Sequence, residues 1–197
     1  WESDYKQSDE LAIHYTPTQW KKAKAEFTQR DLRILDEPVM EDWEEPYMKA
    51  LAAIATMNGG TVLEVGFGMG ISARFIQQHQ ISSHIIIEAN HDIAIAARAW
   101  AKKCPIETVV LEGLWQEVIS QIKDASLDGI LFDTYPLTEK ELYQNHFSFF
   151  PFAFAKLKNA GVFTYYSDET KWFSDIHLHR LKEVGFKKER ITGKPVQ

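Results

Sequence analysis

The chain has 197 residues, 45% of them apolar, enough for one domain with a core of its own. Its formal net charge of −6 includes no basic block, so no surface is built to neutralise a phosphate backbone and nucleic acid is not an expected partner. No apolar run approaches the roughly 20 residues that cross a bilayer, and the single cysteine, Cys104, cannot close an internal disulfide; the expectation is a cytoplasmic protein with no membrane partner, in which Cys104 is a small buried hydrophobe.

In chain order, residues 1–30 carry Trp20 and Phe27 among many charges, too little apolar surface for a separate domain, and are read as a lid on a domain formed by residues 31–197. Pro46 suits the first position of a helix running to about Met57, where its missing N–H costs nothing, with Glu44 and Glu45 at the entrance. From about residue 60, short β-branched runs alternate with polar helical segments. Strands are predicted at 61–65, 84–88, 107–111, 127–133 and 161–166, each a nearly continuous apolar run suited to burial on both faces. Helices are predicted at 69–78, 91–102, 139–158 and 176–184, the third ended by Asn159-Ala160-Gly161 at a residue that tolerates positive φ. The βαβα order predicts an α/β fold with a doubly wound, mostly parallel sheet.

The first predicted strand, Thr61–Val65 with Glu64 near its end, runs into Gly66-Phe67-Gly68-Met69-Gly70 and then a helix, so the backbone can turn sharply and approach a ligand at the helix N-terminus. The spacing is G-x-G-x-G; Ile71 stands where a dinucleotide loop would need its third glycine, which favours S-adenosylmethionine over NAD. Glu88, followed by Ala89, ends the second strand about 20 residues on, where an acid hydrogen-bonds ribose hydroxyls. Gly113, Leu114 and Trp115 follow the third strand and offer an adenine ring a flat apolar wall. Asp133 ends the fourth strand, which should neighbour the first, in Phe132-Asp133-Thr134-Tyr135-Pro136. Ligands of open α/β sheets bind outside such strand ends, so Asp133 is expected beside the glycine loop; a helix-capping aspartate is the plainer alternative.

Leu32-Arg33-Ile34-Leu35, Pro38-Val39-Met40-Glu41, Trp43-Glu44, Pro46-Tyr47-Met48, Leu63–Met69, Gly113-Leu114-Trp115 and Asp133-Thr134-Tyr135-Pro136-Leu137 resemble, in order and spacing, the guanidinoacetate N-methyltransferase family. The resemblance implies the Rossmann-like, seven-stranded-type methyltransferase sheet, its final strands not within this chain. It implies that S-adenosylmethionine is the methyl donor, that Glu44 and Asp133 grip a guanidinium, that Glu88 holds the ribose, and that Met40, Met48, Gly66 and Trp115 line the cofactor site. Trp20 matches the family's lid tryptophan. The family receives its substrate carboxylate on backbone N–H groups after the fifth strand, where this chain reads Ser167-Asp168-Glu169-Thr170. Two added carboxylates would repel a substrate carboxylate by about 4 kcal/mol at roughly 4 Å and an effective dielectric near 20. The substrate is therefore left open among guanidinoacetate, arginine and a longer guanidino compound whose amino end suits Asp168 and Glu169. Asp133 is assigned as proton acceptor and Glu44 as the group that orients the guanidinium.

No metal is expected. His177 and His179, two apart on a helix, do not face each other and read as solvated side chains rather than a metal pair. A metal-assisted catechol-type enzyme using Asp133, Asp168 and Glu169, and a non-catalytic S-adenosylmethionine-binding protein, are the alternatives. A protein-arginine methyltransferase would need paired glutamates after the fourth strand and usually a β-barrel, neither of which fits DTYPLTEKEL, so a small guanidino partner is preferred, bound by a monomer or homodimer.

Overall fold

A computed structural model describes residues 15–137, 141, 144–167, 169 and 173–193. Helix α1 (Pro17–Lys22) is followed by a three-stranded antiparallel sheet, β1 (Ala25–Phe27), β2 (Asp31–Ile34) and β3 (Glu37–Glu41), and then by α2 (Glu45–Ala55). Five parallel strands form the main sheet: β4 (Thr61–Val65), β5 (Ser83–Glu88), β6 (Thr108–Glu112), β7 (Leu127–Phe132) and β8 (Leu157–Tyr165), in the order β6-β5-β4-β7-β8. Between them run α3 (Ile71–Ile76), α4 (His91–Ala101), the short α5 (Trp115–Val118) and α6 (Phe150–Lys156), and α7 (Asp175–Val184) follows β8. The fold is thus a mostly parallel, Rossmann-like α/β sheet, as expected, with five parallel strands among the described residues. No helix among them is long and apolar enough to cross a membrane.

Because strand side chains alternate, neighbouring residues feed opposite cores. Val62, Ile86 and Leu131 pack with Met48, Leu51 and Ala52 of α2 and with Ile71 and Ile93. Leu63, Ile87 and Ile130 face Trp115, Phe149 and Ala153 on the other side. At Gly129 of β7 the α2 backbone lies so close that a Cβ would stand 1.7 Å from the Ala55 carbonyl oxygen. The order reverses between β4 and β7, which opens a crevice at their C-terminal ends.

Four expectations are corrected. The helix predicted over 139–158 is confined to α6, preceded by a 3-10 turn at Phe147–Phe149, because Pro151 has no N–H to give to a helix passing through it and fits only in a first turn; residues 138–140 and 142–143 lie outside the described residues. Its end is not at Gly161: β8 begins at Leu157, and Ala160 takes the left-handed conformation (φ 68°) where the chain loops out between the Leu127–Leu157 and Gly129–Val162 pairs. His177 is fully buried while His179 is exposed, since the face of α7 bearing His177 and Leu181 is the one turned inward. Cys104 is only half-buried, its thiol beside the Trp100 carbonyl, and burial raises its pKa.

Candidate active site

The glycine loop leaves β4 in a conformation that only glycine accepts at its first position. Gly66 has φ 94°, and a Cβ there would stand 1.9 Å from the Asp133 carbonyl oxygen. The ends of β4 and β7 are thereby pressed together, with the Gly66 N–H donating to Ile87 O and the Asp133 N–H to Val65 O, both at 2.9 Å. Farther along the loop the Met69 N–H points at the Met40 sulfur, 3.2 Å away, joining β3 to the loop.

Glu88, 6% exposed at the end of β5, accepts from the Phe67 N–H at 2.9 Å and the Asn90 N–H at 2.8 Å. Its carboxylate therefore braces the glycine loop and the entry to α4. Burial raises its pKa, and the backbone N–H groups pull the other way.

These strand ends, α1, β3 and the start of α2 enclose a cavity of about 260 Å³. Of the expected cofactor residues, Met40, Gly66, Gly68, Glu88, Ala89, Gly113, Leu114, Trp115 and Asp133 line it. Four others do not. Met48 is fully buried on the inner face of α2, Phe67 packs its ring at 5.5 Å from that of Trp100, Met69 lies outside the lining, and Glu64 is turned into the protein, its carboxylate paired with Nε2 of His84 at 3.0 Å and hydrogen-bonded by Ser72. The position of Glu64, one residue before the strand's last, is what turns it away: alternation sends it to the face opposite Leu63 and Val65. Trp115 is both wall and core, since its ring also packs edge-on against Phe132 and Phe149.

Of the expected substrate residues, Glu44, Asp133, Trp20 and Tyr135 line the same cavity. Glu44 immediately precedes α2; its Oε1 accepts from the Glu41 N–H at 2.7 Å and its Oε2 from the Tyr47 hydroxyl. Burial raises the Glu44 pKa, opposed by those two hydrogen bonds. Trp20 of α1 stacks on Tyr135, with ring centroids 4.8 Å apart and planes 11° from parallel, and burial pushes the Tyr135 phenol up to about 12. Glu169 does not line the cavity: its carboxylate accepts from Ser174 N and Oγ at the entry to α7 and lies 3.1 Å from Nδ1 of His177. Asp168 and Thr170 lie outside the described residues.

Among the lining residues that the sequence reading did not assign to the site are Tyr47, Glu141 and Asn145. Tyr47 lies one helical turn after Glu44, and an i, i+3 tyrosine–glutamate pair at a helix entrance was the available signal. Asn145, whose Nδ2 donates to Thr134 O at 2.6 Å, carries no such signal.

The chain is similar to several known proteins. The chain is 33% identical over 138 residues to "Protein arginine N-methyltransferase 2" of Kluyveromyces lactis, a match covering 66% of this chain and 32% of that protein. It is 30% identical over 172 residues to the protein of the same name from Candida glabrata, covering 81% of this chain and 40% of that one. The chain thus spans about a third of the length of the curated relatives it matches first. A solved spermidine synthase, in complex with the transition state analogue AdoDATO, superposes with a TM-score of 0.61 over 82% of this chain and 64% of its own, at 18% identity, which bears on the fold alone. The model of the guanidinoacetate N-methyltransferase family matches residues 14–197. The chain belongs to the guanidinoacetate N-methyltransferase family, whose methyl donor is S-adenosylmethionine.

Proposed function

We propose that this chain moves a methyl group from S-adenosylmethionine to a guanidino nitrogen, with a small guanidino compound as acceptor. The observation that carries the reading is the charge of the cavity: Glu44, Glu88, Asp133 and Glu141 line it, and no lysine, arginine or histidine is among its described lining residues. Such a cavity suits two cations, a sulfonium and a guanidinium. The residues also fit the donor. Gly66, Gly68 and Gly113 leave backbone room, Leu114 and Trp115 supply an apolar wall, and Glu88 stands where ribose hydroxyls would meet it.

When bound, S-adenosylmethionine supplies an electrophilic methyl group. A guanidinium has a pKa above about 12 and is a poor nucleophile while it keeps its proton. Two carboxylates facing its planar fork of N–H donors hold it by charge-assisted hydrogen bonds and fix which nitrogen attacks. Asp133 accepts the proton that this nitrogen loses as the new C–N bond forms, and Glu44 orients the guanidinium and balances its charge. Trp20 and Tyr135, stacked, close the cavity on that side and shield the charges from water.

Glu169 bears on the substrate's far end. Its carboxylate, engaged by Ser174 and His177, stands outside the cavity lining, where it neither meets a substrate carboxylate nor receives a substrate ammonium, which supports a short guanidino acid. The second reading, arginine within a polypeptide, is favoured by the names of the relatives.

The test is S-adenosylhomocysteine release with product mass, over guanidinoacetate, guanidinobutyrate, arginine, agmatine and an arginine-containing peptide. Methylated guanidine in a small acceptor supports the first reading, and methylation of the peptide alone supports the second. Asp133→Asn should leave cofactor affinity within about twofold and lower turnover by roughly 10²-fold or more; unchanged turnover rules Asp133 out as the proton acceptor. Glu44→Gln should raise the acceptor KM by about tenfold.

A further inference from the structure

We propose that Tyr47 is a positioning residue of the reaction, a neutral donor that fixes the Glu44 carboxylate for the guanidinium; this rests on the guanidino reading above. Its hydroxyl donates to Oε2 of Glu44 while the Glu41 N–H occupies Oε1, so each carboxylate oxygen is tied once and keeps a lone pair for the substrate. Its ring is held by Trp43 on one side, at 6.3 Å, and by Tyr166, beyond the end of β8, at 5.4 Å, so the hydroxyl is placed by packing from two elements. Tyr47, Glu44 and Asp133 line the same cavity.

The chemistry explains why a phenol serves here. A lysine or arginine would satisfy Glu44 equally well but would cancel the charge that recruits the guanidinium and occupy its place. A phenol satisfies one oxygen and leaves the charge. Burial, and next the Asp133 carboxylate, hold the Tyr47 proton well above its ordinary value, so the hydroxyl remains a donor across the working pH range and does not compete with Asp133 as a base. The groups facing Glu44 are Glu41 from β3, whose charge raises its pKa, and Tyr47 from α2, whose hydrogen bond lowers it; Asp133 and Tyr166 face Tyr47 from the ends of β7 and β8.

Tyr47→Phe retains the ring and removes only the donor. The variant should raise the KM for the guanidino acceptor about tenfold, with kcat less affected and S-adenosylhomocysteine affinity within about twofold of wild type. Losing the hydrogen bond also lets the Glu44 pKa climb further, so the acid limb of kcat/KM should move to higher pH, a shift that loss of packing alone would not produce. An unchanged KM, or a raised KM with the acid limb unmoved, overturns the positioning role, and so does a collapse of S-adenosylhomocysteine affinity, which would make Tyr47 part of the cofactor site. Wild type run in parallel separates the two readings: a wild type that methylates no guanidine brings down the proposed function and this inference with it, whereas an active wild type with an indifferent variant brings down Tyr47 alone.

Discussion

His177 illustrates how far a residue's surroundings lie outside its own segment. Spacing on the helix correctly separates it from His179, but its burial comes from β8 and the segment before α6: Tyr165 OH is 2.6 Å from its Nε2, Glu169 lies at Nδ1, and Phe150 and His146 pack their rings against it. His146 is the more perturbed of the two. Burial first, and the neighbouring His177 second, push its pKa from 6.5 down to about 3. The folded state therefore keeps His146 neutral while the unfolded chain takes up a proton below about pH 6.5, so its contribution is complete above that value and is lost progressively as the pH falls toward about 3. Denaturant titrations should find stability falling on acidification through this window, by about 1 kcal/mol near pH 5.5 for this one group. His146→Phe, which keeps an aromatic ring in the cluster, should flatten that decline; an equally steep decline in the variant would show that His146 is not its source.

At the scale of elements, α2 matters most, because it carries Tyr47 in its first turn and begins next to Glu44. Its seat on the sheet is set at Gly129, where no side chain fits between β7 and the Ala55 carbonyl. Gly129→Ala should displace α2 and destabilise the protein by about 2–3 kcal/mol in urea unfolding, and the folded fraction should show a raised acceptor KM; a loss under about 0.5 kcal/mol would mean that α2 yields freely. The small antiparallel sheet is the element that sequence reading missed altogether. Its strands are three to five residues long, with few buried positions, and β2 and β3 are joined through Leu35 and Asp36, both at positive φ (54° and 66°). Two-residue hairpin turns of that conformation are ordinarily signalled by Asn-Gly or Asp-Gly, and Leu35-Asp36 has the aspartate in second place and no glycine.

At the scale of the whole molecule, the question is what keeps the N-terminal segment over the cavity. β1 and β2 pair across residue 30, and α1 is fastened from the other side of the chain by Asn90, whose Nδ2 donates to both Trp20 O and Ala23 O at 2.8 Å while its Oδ1 caps α4. The exposed Lys21–Glu117 pair, 2.9 Å apart, adds little. Asn90→Ala removes a helix cap and two buried hydrogen bonds together, and should cost about 2 kcal/mol. Hydrogen exchange should then quicken over residues 17–23 more than over 45–55; equal protection in both would show that packing of Trp20 alone suffices. The sequence by itself determined the alternation of parallel strands and helices, the glycine loop after β4, and the placing of Glu88 and Asp133 at strand ends, because continuous apolar runs and glycine punctuation are local signals that chain connectivity converts into one topology. Which side chains enter the cavity was decided only by tertiary structure. Glu64 turns to His84 and Glu169 turns to α7 because each orientation depends on a neighbour brought in from another element, and spacing along the chain carries no record of that neighbour.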